Sequence, residues 1–260
     1  MKLQPTHPLV QIEKSIHQKT ITPITNHEDI FKSGSANTKL GGCIDYIGED
    51  KKLNKKIKDA LILKGKWSGM PMVSLTIEER STCPTSCLHW LDCYGNSMGF
   101  AKRYIHGEDL EKQIKKDIRK LARIYKGGFV VRLHVLGDFY SLEYVKMWAQ
   151  LLNAYKNLYV FGYTARLKDS PIGDAVYKLQ SDRWWIRISN GDDNEMCANV
   201  MNDESLAQLK NHTAFICPHM TYKKESTHTE TYKPRKVMNC SRCGACWSTR
   251  KTVIFPLHLH

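Results

Sequence analysis

No apolar run in the sequence approaches the roughly 20 residues that a membrane-spanning helix needs. Met1 to Lys14 also lacks an apolar core followed by a cleavage site. The expectation is a cytoplasmic protein without a membrane partner. Internal repeats and low-complexity segments are missing as well, which argues against an array architecture. Acidic residues are the minority charge: 26 Asp and Glu stand against 39 Lys and Arg, a formal net charge of +13. That sign suits a polyanionic partner such as nucleic acid, and equally a plain lysine-rich soluble surface.

What is present in quantity is thiol. Nine cysteines in a chain of 260 residues are too sparse for a secreted disulfide scaffold, and in a cytoplasmic protein they read as metal ligands. The remaining composition, 42% apolar and 25% charged, is that of an ordinary soluble protein able to bury a sizeable core.

The first part of the chain, to about Leu40, is polar, interrupted by Pro5, Pro8 and Pro23, and reads as an arm packed on the body. Asp50 to Lys64 has Leu53, Ile57, Ala60 and Leu61 at helical spacing and is expected to be a basic amphipathic helix. Residues 1–70 would thus form an arm and helix, and residues 71–260 a β/α domain with a cysteine-rich tail. From Met72 the pattern alternates. Strands are expected at Met72–Ile77, Phe129–Leu136, Leu158–Thr164, Trp184–Ser189 and Ala214–Cys217, with a sixth hidden in the tail. Helices are expected at Glu108–Lys126, from Ser141 to Tyr155, after Ser170-Pro171 and around Glu204 to Asn211. Strands alternating with helices of this length imply parallel βαβ units, as in a partial or closed β/α barrel or an open doubly wound sheet. The barrel-like form is the expectation.

Side chains alternate across a strand, so each strand can be sorted by face. One face is greasy throughout. The other carries polar groups towards the C-terminal ends: Arg132, His134, Thr164, Arg187 and Ser189. Strands covered by helices on both sides should be apolar on both faces, so these residues are candidates for a pocket at a barrel mouth. Gly137 and Asp138, leaving the second strand, belong to the same set.

The thiols are grouped. Cys83, Cys87 and Cys93 follow the first strand, on a loop where α/β proteins place their chemistry. Cys240, Cys243 and Cys246 are each separated by two residues, a spacing that presents three thiolates to a cubane cluster. Cys217-Pro218 and Cys83-Pro84 have the form of an additional ligand followed by proline. Structural zinc more often uses two separated pairs, so iron–sulfur is the leading reading, with zinc or inert thiols as alternatives. Seven grouped cysteines are one short of two fully ligated four-iron clusters. Either there are two clusters, one with an open iron, or one cluster and some structural thiols.

Thr82-Cys83-Pro84, Cys93-Tyr94, Arg132-Leu133-His134-Val135, Gly137-Asp138-Phe139, Tyr163-Thr164, Cys217-Pro218 and the tail from Cys240 to Trp247 together resemble the phage gene product 88 family. The resemblance runs from about Met72 to Trp247 and implies phage origin, hence a host cytoplasm, and a cysteine-bound cluster. A looser likeness is to radical SAM enzymes, which also place three cluster cysteines after the first barrel strand. Their usual spacing of three then two differs from the three then five found here. The resulting expectation is a four-iron, four-sulfur (4Fe-4S) protein, with one or two clusters and redox or radical chemistry at the barrel mouth. An open iron would take a small-molecule ligand, with S-adenosylmethionine as one candidate, oriented by Asp138, His134 and Arg187. A redox role would require an electron donor. The alternative is a non-catalytic nucleic-acid-binding protein with a structural iron–sulfur or zinc site.

Overall fold

Alternating apolar strands and amphipathic helices do assemble into parallel βαβ units. The computed structural model describes residues 23–24, 61–79, 81–90, 93, 95, 103–189, 191, 196–201, 205, 214–218 and 240–256. Most of the expected arm, residues 50–60 of the expected basic helix and nearly all of the helix around Glu204 to Asn211 lie outside the described residues.

In chain order the elements are β1 Pro23–Ile24, β2 Met72–Ser74, β3 Arg103–Tyr104, α1 Glu108–Ile124, β4 Phe129–Leu133, α2 Leu142–Ala154, β5 Leu158–Thr164, α3 Pro171–Lys178, β6 Trp184–Ser189, β7 Cys197–Met201, β8 Phe215–Ile216, α4 Cys240–Cys243 and β9 Val253–Pro256. Seven strands form one sheet in the order β2-β4-β5-β6-β7-β9-β8. Every ladder in it is parallel. β1 and β3 form a separate parallel pair. Among the described residues β2 and β8 are the two edges and do not pair with each other, so closure into a barrel is not seen.

Helix starts follow local chemistry. The Ser141 hydroxyl accepts a hydrogen bond from the Tyr144 N–H at 3.0 Å. The Ser170 hydroxyl accepts one from Gly173 N–H at 3.1 Å, with Pro171 at the first helical position. α1 opens without a side-chain cap, but Glu108, Asp109 and Glu111 in its first turn complement the helix dipole. No helix among the described residues is long and apolar enough to cross a membrane.

The helices cover one face of the sheet, burying Val73, Val131, Leu133, Val160, Trp184 and Ile186 beneath Ile114, Leu121, Val145 and Trp148. The other face is covered by the chain itself. Val130, Phe161 and Trp185 pack there against Trp67, Cys246 and Trp247.

Leu61 to Lys64 are not helical. Leu61 bridges to Pro71 in antiparallel sense, Ile62 N–H donates to Met70 O at 2.9 Å, and Leu63 and Lys64 N–H both donate to Ser241 O. Bonds to distant carbonyls replace the i−4 bonds that the periodicity predicts, so tertiary contact overrides propensity here. Residues 61–70 are thereby hydrogen-bonded to one another and to the tail at Ser241.

Candidate functional site

In a parallel sheet all strand C-termini share one edge, and there the first cysteine loop emerges. Its two ends are tied down by buried polar groups. At the start, Thr82 lies beneath Gly137-Asp138, the exit of β4. Asp138 N–H donates to Thr82 Oγ1 at 3.0 Å, and Thr82 Oγ1 in turn donates to Glu78 O. Gly137 adopts φ +83°, and a Cβ there would stand 2.3 Å from Ile77 Cγ1 and 2.7 Å from Thr82 Oγ1. Only glycine allows this approach.

The Asp138 carboxyl, 2% exposed, accepts three hydrogen bonds. Thr164 Oγ1 and Phe139 N–H reach Oδ1, and Ala165 N–H reaches Oδ2, each at 2.7 Å. Burial pushes its pKa up to about 6, against the opposing pull of the Thr164 hydroxyl, the two amides and nearby Arg166. Arg166 clamps the assembly, donating from Nε to Phe139 O at 2.8 Å and from a terminal nitrogen to Thr82 O at 2.6 Å.

The far end of the loop is held by a buried ion pair. Arg103 Nε lies 2.7 Å from Glu79 Oε2, with both side chains at most 1% exposed, and a second Arg103 nitrogen donates to Gly95 O at 2.9 Å. Between these anchors Cys83, Cys87 and Cys93 are each half-buried. Cys87 N–H donates to Pro84 O at 3.0 Å, closing a turn.

The second thiol group lies on the face that the helices leave free. Cys240 and Cys243, at i and i+3 of the single-turn α4, share a side of that turn. Gly244 N–H donates to Cys240 O at 2.9 Å and ends it. Gly244 has φ +70°, and a Cβ would sit 2.4 Å from Lys64 O, so the turn rests directly on the backbone of the 61–70 hairpin. Trp247 stacks on Trp67 with ring centroids 6.2 Å apart. Cys217, Cys240 and Cys246 all border this aromatic cluster. The Tyr163 hydroxyl is pushed well above its ordinary pKa, first by burial and then by the neighbouring Cys246 thiol, with Cys240 adding to the effect.

The predicted pocket residues divide between these two places. Asp138, Gly137 and Thr164 meet at the strand edge. Arg187 lies under the tail with its donors turned on backbone: Nε to Cys246 O at 2.9 Å, Nη1 to Lys251 O at 2.9 Å and Cys197 O at 3.2 Å, and Nη2 to Thr249 O. It is a positioning residue for the tail. Burial pulls its pKa below the usual arginine value, and the Cys246 thiol opposes that shift. Arg132 stands over the Phe161 ring at 5.9 Å on the same face, and Ser189 ends β6 opposite Ala198.

His134 departs from its expected face because β4 ends at Leu133 and the alternation stops there. Its ring is buried against Phe139 and Tyr144 on the helix side, with Nε2 3.0 Å from the Tyr144 hydroxyl. Burial lowers its pKa to about 3, so it is a neutral core residue at physiological pH. Thr82, Arg166, Glu79, Arg103 and Tyr163 were not among the candidates. Thr82 and Tyr163 stand in the motifs Thr82-Cys83-Pro84 and Tyr163-Thr164, and the signal for Glu79 and Arg166 is polarity beside a strand end, as in Glu78-Glu79 and Thr164-Ala165-Arg166.

Among the described residues, no three Cys, His, Asp or Glu side chains stand in positions to hold a metal. The donor chemistry of the tail is nonetheless uniform: four thiols, with a guanidinium near Cys246, the polarity that favours thiolate. Such soft donors suit iron–sulfur or zinc rather than a hard cation. A shallow groove of about 450 Å³ lies at the opposite strand edge, around Met70, Pro71, Tyr125 and Gly128, and contains none of the thiols.

Fold and site together define a parallel α/β protein with one set of cysteines on the C-terminal strand edge and another on a sheet face. The model of one family, Gene product 88, matches residues 47–249. The chain belongs to that family. No curated protein and no solved structure matches it. The radical SAM likeness finds no support in these comparisons.

Proposed function

We propose that this chain is an iron–sulfur protein in which Cys217, Cys240, Cys243 and Cys246 bind a four-iron, four-sulfur cluster on the tail-covered face. The supporting observation is the convergence on that face: Cys217, Cys240 and Cys246 border one aromatic cluster, with Cys240 and Cys246 beside Tyr163. When bound, the cluster supplies one-electron chemistry. The residues around it do the rest. Arg187 and the Trp67–Trp247 stack hold the tail on the sheet and exclude water, and the guanidinium favours ionised thiols.

Cys83, Cys87 and Cys93 form a second set of three thiols on a loop fixed at both ends, the arrangement that leaves a position open for a small-molecule ligand. Phage origin, a host-cytoplasm location and redox or radical turnover belong to this same reading. The Asp138 latch then serves to aim the Cys83 loop, its carboxyl held by Thr164, Phe139 and Ala165.

The test is anaerobic purification followed by iron, sulfide and zinc analysis with visible absorption. About four irons and four sulfides per chain are expected for the tail site alone, and more where the second set is loaded. Cys243→Ser should remove the tail cluster, and Cys87→Ser only the contribution of the second set. A colourless protein with stoichiometric zinc, or iron content unmoved by Cys243→Ser, would overturn the assignment.

A further inference from the structure

Beyond its acidic first turn, the exposed side of α1 is cationic from Lys115 to Arg123. Lys115, Lys116, Arg119, Lys120 and Arg123 are all exposed. At 100° per residue they fall within an arc of about 140°, opposite the buried Leu110, Ile114, Ile118 and Leu121. None of the five has an ion-pair partner among the described residues. The acid between them, Asp117, is buried and accepts a hydrogen bond from Gln113 at 3.0 Å. Lys112, one turn earlier, is already paired with Glu108 and Asp109.

This pattern works against the helix that carries it. Lys115 and Arg119, Lys116 and Lys120, and Arg119 and Arg123 are like charges at i and i+4, which repel one another. The other helices do the opposite: Lys146 lies near Glu143, and Lys178 pairs with Asp174. The fold gains nothing from the stripe, whereas an external polyanion would.

We propose that α1 is a docking face for the phosphate backbone of duplex nucleic acid. The stripe from Lys115 to Arg123 runs about 12 Å along a straight helix, and a duplex presents a phosphate charge about every 1.7 Å of its axis. No aromatic side chain stands among the five cations, so the stacking platform of a single-strand binder is missing from the stripe. The apolar side of α1 is fixed in the core, which leaves it unable to enter a lipid surface. Binding at this face is therefore electrostatic and indifferent to sequence. It is independent of the cysteines.

Fluorescence anisotropy with a mixed-sequence 25-base-pair DNA duplex, over a salt series, tests the proposal. The full chain should bind with a steep salt dependence. Combined Lys115→Gln, Lys116→Gln, Arg119→Gln and Lys120→Gln should reduce the slope of log K against log salt by about 3 to 4, from about 0.9 per lost phosphate contact. Replacing Lys115, Lys116 and Lys120 by Arg should leave the slope unchanged, which separates lost charge from a damaged fold. A control removing the same charge elsewhere, at Lys146, Lys156, Lys168 and Lys178, should bind as the parent does. The proposal is overturned by absence of binding at low salt, by equal losses in the control, by tighter binding to a single strand of the same length, or by stripe-dependent binding confined to anionic vesicles.

Discussion

The two faces of the sheet are built in different ways. The helix-covered face mixes aliphatic side chains with a ring cluster of its own, Phe139, Tyr144, Trp148 and Trp184, and α1, α2 and α3 reach it through βαβ connections between neighbouring strands. The other face is aromatic and rich in thiol, and its cover comes from opposite ends of the chain. Lys66 N–H donates to Ser248 Oγ at 2.9 Å across 182 residues. The first face is a product of local periodicity and carries ordinary core stability. The second is held by a few long-range contacts, so it is the face whose packing a single substitution should disturb most.

The largest expected effect breaks that second face. Arg187 is fully buried and serves three tail carbonyls and one in β7. Arg187→Leu would leave those carbonyls without their donor inside the protein, at a cost of about 3–5 kcal/mol unless the tail lifts off to reach water. Denaturant unfolding followed by tryptophan fluorescence should report early exposure of Trp67 and Trp247, while far-UV circular dichroism keeps the helical signal to higher denaturant. Coincident loss of both signals would mean that the two faces unfold as one unit and that the contrast is only architectural.

The same contrast governs what could be read from the sequence. β5 and β6 begin and end where alternation places them, and Ser141 and Ser170 cap the helices that their positions predict. These signals are local. β7 escaped notice because Cys197-Ala198-Asn199-Val200-Met201 is short and only partly apolar, and β9 found its place between β7 and β8 only through register. Parity correctly put Arg132 and Arg187 on a common face. It could not reveal that Arg187 spends its donors on carbonyls 10 to 64 residues away, because nothing periodic encodes such a contact. At the strand edge Gly137-Asp138 is legible as the exit turn of β4, whereas its partners Thr82 and Arg166 come from two other strand exits.

A middle-sized effect is expected from Asp138, which joins the helix-backed strands to the first cysteine loop. Its folded pKa of about 6 lies above the ordinary value of 3.8. Between those values the native state holds more protons than the unfolded chain. Stability contributed by this group is therefore full below about pH 4 and declines as pH rises to about 6, by about 3 kcal/mol at 1.36 kcal/mol per unit. Denaturant midpoints measured from pH 4 to pH 7 should show that decline in the parent and a flatter profile in Asp138→Asn. An increase in the parent's stability specific to Asp138 across this range would mean that the three donors and Arg166 outweigh burial, keeping the carboxylate charged at the loop.

The smallest effect sharpens the comparison from the opposite side. The Ser141 hydroxyl satisfies one amide at the start of α2, and α2 packs on the helix-covered face through Tyr144, Val145 and Trp148. Ser141→Ala should cost about 1 kcal/mol, the usual value of an N-cap. Because this cost falls on local helical structure, it should lower the global unfolding midpoint without changing metal content or the environment of Trp247. Hydrogen exchange separates the cases. Uniformly faster exchange across α2 and the central strands would place the cap in the common stability of the domain. Faster exchange confined to the first turn of α2 would mean that the turn frays alone, and that the helix-covered face draws its stability from side-chain burial rather than from its caps.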